Sequence, residues 1–281
     1  MTATSPRYLL KKFIKIVVCI ITTYTGYQYI SRNKTNKKGL AILTYHSISN
    51  EIEPDEAVTP EEFEKQLQYI KDTFKVISLE EAAEHIQTDI EKVAGSIVIT
   101  FDDGYRDNYR YAYPLLKKYN FPATIFLVSD FINSNSSKYL SLSEIDEMKG
   151  NNISFGSHTI SHRILTSLRN EEIIREIRDS KDILESQLGR RINSFAYPLG
   201  TRIDFNDEIM EIVRTSKYAC ACSNVYGIND KDTNIFALKR IGIETTDNFF
   251  LFKKKLNGTL NILSFKDTKF FQKLKRIFFK L

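Results

Sequence analysis

Three short stretches hold most of the residues able to do chemistry. "SHTISH" spaces His158 and His162 by four. On one helical turn that spacing would put both imidazoles on one face, roughly 5–6 Å apart, able to grip a single metal ion. "ITFDDG" offers adjacent carboxylates, Asp102 and Asp103, where an apolar strand breaks into a turn at Gly104. Two histidines and one carboxylate with open positions make a catalytic divalent site rather than a closed structural one. Adjacent Asp side chains on a regular strand point to opposite faces, which argues against a carboxylate pair across a glycosidic bond. At a strand end the chain can bend, so that one carboxylate ligates metal while its neighbour takes a proton from the attacking water. The third stretch, "AILTYHSI", carries an apolar run to His46, which by itself reads as a satisfied strand-end residue.

The remaining candidates are plainer. His85, in "EEAAEHIQ", reads as a solvated helix residue. Cys19, Cys220 and Cys222 cannot build a disulfide framework, and "CAC" lacks zinc-ligand spacing, so they read as core thiols.

The elements that must position these groups alternate. "GLAILTYH", "KVIS", "SIVITFDD", "ATIFLVSD", "NISFGSH", "NSFAYP", "YACACS" and "FALKRIGI" read as strands. Residues 60–72, 79–90, 107–119, 141–149, 170–188 and 206–215 read as helices, with start signals such as Thr59 before Pro60 and Ser78 before Glu81. Such alternation predicts a parallel α/β sheet, which near eight strands closes into a barrel whose active site lies at the carboxyl ends of the strands. His46, Asp102 with Asp103, His158, and Tyr197 with Pro198 all fall at those ends.

"TFDDG", "SHTISH" and "FAYPLG", in that order, resemble the polysaccharide deacetylases of the NodB homology group, carbohydrate esterase family 4, over residues 40–243. The resemblance implies a distorted (β/α) barrel that removes acetyl groups from sugar polymers with a divalent metal, Zn first, with Co or Ni compatible. By it, Asp102 is the general base, Asp103, His158 and His162 are the metal ligands, and the Leu199 backbone N–H helps form the oxyanion hole. Tyr105, Tyr197 and Pro198 are expected to contact the substrate. Departures are informative. Ala196 stands where the family's motif carries a base-orienting Arg, and Arg240 in "LKRIGI" is the expected substitute. The chain has no Trp and no His beyond His162, so the usual C-terminal acid is absent. Relatives of the biofilm exopolysaccharide N-deacetylases have a circularly rearranged barrel in which an N-terminal strand ending in Tyr-His supplies it, and His46 matches. The expected activity is hydrolysis of N-acetyl groups on a glycan. An O-acetyl esterase on the same site and an inactive glycan-binding module are the alternatives.

The two ends are unlike the middle. Residues 1–38 hold eight Lys/Arg and no acid, and residues 266–281 hold six Lys/Arg and one Asp, so a net charge of +5 leaves residues 39–265 at −8. An acidic middle argues against nucleic acid as a partner, and basic ends point to an anionic membrane surface. Residues 1–38 are expected to be a membrane anchor and basic linker, 39–260 the deacetylase domain, and 261–281 a basic amphipathic helix. The anchor is marginal, because Lys15 interrupts it and the apolar part falls short of the roughly 20 residues a spanning helix needs. It reads as an uncleaved anchor with the catalytic domain outside the cytoplasm, although the flanking charges are balanced.

Overall fold

Residues 6–25, 39–50, 57–134, 136–261 and 267–268 are described by a computed structural model of the chain. The apolar run ending at His46 forms β1 (Ala41–Tyr45), and a small side sheet pairs β2 (Ser47–Ile48) with β3 (Ala57–Val58). β4 (Ile97–Phe101), β5 (Ala123–Leu127), β6 (Ile153–Ser157), β7 (Ser194–Ala196), β8 (Cys220–Tyr226) and β9 (Leu238–Gly242) follow. β1 and β4 to β9 lie in that spatial order in a closed, wholly parallel barrel, which β9 seals against β1 through Leu43 and Ile241.

The barrel therefore has seven strands, not the eight expected. "KVIS" contributes a single bridge from Val76 to Ile97. Phe74 ends the helix before it and Ser78 caps the helix after it, which leaves too short a segment for a strand.

The helices begin where their capping chemistry predicts. The Thr59 hydroxyl accepts from the Glu62 N–H to open α2 (Pro60–Thr73), and the Ser78 hydroxyl accepts from Glu81 to open α3 (Leu79–His85). The second of these stops short of residue 90, so His85 is its last residue. Among the described residues, α4 (Tyr113–Tyr119), α5 (Ser129–Ile132), α6 (Leu142–Met148), α7 (Asn170–Leu188), α8 (Asp207–Thr215) and α9 (Phe249–Leu256) complete the set that follows β1.

Strand alternation divides the core in two. Leu43, Ile99, Ile125, Phe155 and Ile241 pack with helix residues such as Phe63, Leu67, Ile177 and Leu184. Their strand neighbours Ile42, Val98, Phe126, Cys222 and Leu238 form a second cluster with Leu79 and Ala82 from α3. Cys220 and Cys222 are buried free thiols within it, as expected. Gly156 has to be glycine, because a Cβ there would lie 2.5 Å from the Phe126 ring.

At the N-terminus α1 (Pro6–Tyr24) lies against α9, with Cys19 packed on Leu251 and Leu260. No helix among the described residues is long and apolar enough to cross a membrane. The helix expected over the C-terminal basic segment lies outside the described residues.

Candidate catalytic site

The candidate groups converge where the strand ends predicted. His46 follows β1, Asp102 and Asp103 follow β4, His158 follows β6, and Tyr197 follows β7. The two aspartates do not simply alternate, because Asp103 and Gly104 both take left-handed backbone conformations, φ 71° and 67°. This bend sends the two carboxylates to different partners. Asp103 Oδ1 lies 3.6 Å from His158 Nε2 and 3.4 Å from His162 Nε2. The ligand atoms of all three residues fall within 4.8 Å of one another.

The helical turn expected for His158 and His162 is not there. They sit on a loop in which Thr159 and His162 are themselves left-handed, φ 71° and 58°, and the rings still meet at 4.8 Å between centroids. Such backbone states cost about 1–3 kcal/mol each and persist only where surrounding contacts impose them. The contacts are visible. The Thr159 hydroxyl accepts from the His162 N–H at 3.0 Å, and buried Glu176 on α7 accepts from the Ile160 and Ser161 N–H groups and from the Ser161 hydroxyl. Sequence reasoning missed Glu176. Its signal was an acid between Ile173 and Ile177 on the apolar face of its helix.

The chemistry of this donor set fits a cation. His158 Nδ1 lies 2.8 Å from the Ala196 carbonyl, which can only accept, so the ring proton sits there and the Nε2 lone pair faces Asp103. Burial pushes the His158 pKa down to about 4, against the pull of Asp102, so the ring stays neutral. Asp103 Oδ1 is buried and has no hydrogen-bond partner among the described residues. A carboxylate oxygen without a donor, facing ring nitrogens, is the arrangement a divalent ion would satisfy.

Asp102 is turned the other way. Its oxygens accept a fork of hydrogen bonds from Arg240, at 2.7 Å from Nη1 and 2.6 Å from Nη2, and both side chains are fully buried. Burial alone would raise the Asp102 pKa, but the Arg240 guanidinium, helped by His158 and His46, outweighs it and holds the carboxyl well below the usual carboxylate range. Arg240 thus stands against Asp102 where the chain lacks an Arg at position 196. Arg240→Met should cost about 3–5 kcal/mol of unfolding free energy in a urea titration, because it leaves a buried carboxylate uncompensated. Arg240→Lys keeps the charge without the fork and should recover part of that loss. A midpoint unchanged in Arg240→Met would show that the pair is energetically idle.

His46 is partly open, with its side chain 17% exposed and Nε2 4.0 Å from Asp102 Oδ2. Its loop is pinned by residues the sequence did not flag. Asn108 Nδ2 donates to the His46 carbonyl at 2.8 Å, and Asp107 accepts from the Ile48 N–H and the Ser47 hydroxyl. The polar pair after "DDGYR" was their only trace.

The expected substrate contacts divide. Tyr105 stacks on Tyr139, Tyr139 on Phe131, and Phe131 reaches the His162 ring at 6.1 Å, which forms an aromatic wall beside the ligand cluster. Tyr197 instead is 0% exposed, donates its hydroxyl to the Phe236 carbonyl at 2.8 Å, and stacks on Phe205. Pro198 is buried too. Neither offers a surface to a substrate, because alternation turns Tyr197 to the helix side with Phe195. Leu199 is left-handed at φ 56° and its carbonyl accepts from Asn224, while its N–H makes no hydrogen bond among the described residues.

Comparison with known proteins agrees with this geometry. The sequence profile of the polysaccharide deacetylase family matches residues 89–221. The Bacillus subtilis protein YxkH, whose name places it among the polysaccharide deacetylases, is 32% identical over 214 residues, 75% of this chain and 74% of that protein. A poly-beta-1,6-N-acetyl-D-glucosamine N-deacetylase of Staphylococcus epidermidis is 27% identical over 66% of this chain and 76% of its own length. Among solved structures, the Streptococcus pyogenes deacetylase PplD in complex with acetate superposes with a TM-score of 0.71 at 30% identity, covering 78% of this chain and 98% of that one. With the strand-end aspartates, the paired histidines and the closed parallel barrel in place, the chain belongs to the polysaccharide deacetylase family, the NodB homology group.

Proposed function

We propose that the chain is a metal-dependent N-deacetylase acting on amino-sugar residues of a glycan. The observation that carries this reading is the buried Asp103 Oδ1, without a donor among the described residues, facing His158 and His162 beside an ionised Asp102. Asp103, His158 and His162 would hold a divalent ion, Zn before Co or Ni. When bound, such an ion acidifies water and polarises a carbonyl oxygen.

The chain's own groups divide the remaining work. Asp102, kept ionised by Arg240, accepts the proton of the attacking water. A carboxylate so weakly basic is adequate only for an acidified water, which is why the two aspartates belong together. The Leu199 N–H donates to the oxyanion that develops on the acetyl group. His46, on the open side of Asp102, delivers a proton to the departing amine. Tyr105, at the end of the aromatic wall, gives a sugar ring a face to lie on.

The test is acetate release from N-acetylglucosamine oligomers, read by mass spectrometry with and without chelator. Chelator should abolish release, and added zinc should restore it. Release confined to O-acetylated sugars would make the chain an esterase, and zinc binding without any release would make it a glycan-binding module.

A further inference from the structure

Exposed apolar surface among the described residues is concentrated on one helix. Leu9, Leu10, Phe13, Ile20, Ile21 and Tyr24 of α1 all stand open, Phe13 at 63% and Tyr24 at 88%. Their spacing places them on one side of a 3.6-residue helix. The opposite side is docked. Lys15 Nζ pairs with Asp247 at 2.6 Å and with Glu244 at 3.1 Å, and bonds the Thr246 hydroxyl at 2.7 Å. Burial works against the Lys15 ammonium, but Asp247 and Glu244 outweigh it and raise its pKa. The lysine that interrupts the apolar run is therefore a tether to the barrel.

A contiguous apolar face of this kind marks a protein or a membrane contact, and the charge around it selects between them. Residues 1–38 contain no acid. On α9, Lys253 and Lys254 follow Phe250, itself 49% exposed, while Lys255 is buried on the docked side. The two acids at the docked side, Glu244 and Asp247, are engaged by Lys15 and Lys255. An apolar face rimmed by cations complements an anionic bilayer surface. A spanning orientation would pull Lys15 from its carboxylates and carry it into hydrocarbon.

The tether sits at the catalytic rim. Glu244 to Asp247 follow β9 at its carboxyl end, and the Thr245 hydroxyl donates to the Ala57 carbonyl of β3, whose partner Ser47 is next to His46. We propose that α1 lies in the plane of an anionic membrane interface, and that the Lys15 contacts lock the barrel so that its catalytic rim faces glycan held at that membrane. The membrane contact stands by itself, whereas the glycan part rests on the deacetylase reading.

Because the chain has no Trp, Leu10→Trp and Ile21→Trp each create a single emitter, about 16 Å apart along the helix. In full-length protein on phosphatidylcholine vesicles containing phosphatidylglycerol, quenching by lipids brominated at known depths should place both at the same shallow level. Graded depths, as in a spanning helix, or no quenching would overturn the proposal. Phe13→Glu with Ile20→Glu should lower vesicle affinity on the order of 100-fold and leave turnover of soluble oligomers unchanged. Self-association relieved by this double variant, without any vesicle binding by the parent protein, would assign the face to a second copy and also overturn it.

Lys15→Met should still bind vesicles but lose the several-fold preference for lipid-tethered over soluble N-acetylglucosamine oligomers expected of the parent protein. A preference retained in Lys15→Met would overturn the orienting role. An absence of turnover on both substrates in the parent protein would refute the deacetylase reading and, with it, the glycan part, while the depth measurement still decides the membrane contact.

Discussion

His162→Asn should bind zinc more than about 100-fold more weakly than the parent protein and release acetate from N-acetylglucosamine oligomers at no more than background rate. A site with three protein ligands has none to spare, and loss of a mere supporting contact in such sites already costs 10–100-fold. The choice of Asn follows from the backbone. Position 162 is left-handed, φ 58°, which Asn tolerates better than most residues, so the fold is expected to survive. His158→Ala would be a less clean probe, since that ring also fills a buried position and bonds the Ala196 carbonyl. Zinc titration by calorimetry, with melting temperature as the control, reads the outcome. Stoichiometric tight zinc together with normal turnover in His162→Asn would remove this residue from the ligand set.

His46→Ala should keep zinc and fold but lose on the order of 10²- to 10⁴-fold in amide turnover, the usual worth of positioned acid–base assistance. The leaving group supplies the sharper test. An amine must be protonated to depart, whereas a nitrophenolate leaves without help, so an activated acetate ester should suffer much less. The ratio of amide to ester activity should therefore collapse. The geometry favours this role over that of ligand, because His46 lies next to Asp102, with Nε2 4.0 Å from its carboxylate, and is not a member of the Asp103, His158, His162 cluster. An equal loss on both substrates, accompanied by loss of zinc, would contradict the assignment.

Much of the site was legible because its determinants are local. Apolar runs ending in His46, Asp102 and His158 mark strand ends, and in a parallel barrel strand ends share one rim. Helix starts at Thr59 and Ser78 were equally readable, because a cap satisfies N–H groups only two or three residues away. The burial of Cys220 and Cys222 followed from their period of two within an apolar run.

What escaped was long-range or depended on side-chain direction. Glu176 steadies the histidine loop from α7, and Asp107 with Asn108 steadies the loop of His46. Neither role can be read from spacing, because each acid bonds backbone groups far along the chain. Tyr197 was misplaced because occupying a strand end does not say which side the ring takes. Its pairing with Phe195 on the helix side decided that. The histidines were expected on a helical turn because four residues make one, and the left-handed states at Thr159 and His162 brought the rings together by another path.

The sequence by itself determined which chemistry-bearing residues stand at the rim, the parallel α/β architecture and the charge contrast between ends and middle, since all three depend on residue type and short-range period. Only the tertiary structure decided that Arg240, expected beside Asp102, grips it across 138 residues in a fully buried two-bond fork, that Asp103 Oδ1 lacks a donor among the described residues, and that Lys15 finds Asp247. Those contacts arise from barrel closure and helix docking, and their energies depend on burial, which no local pattern of residues encodes.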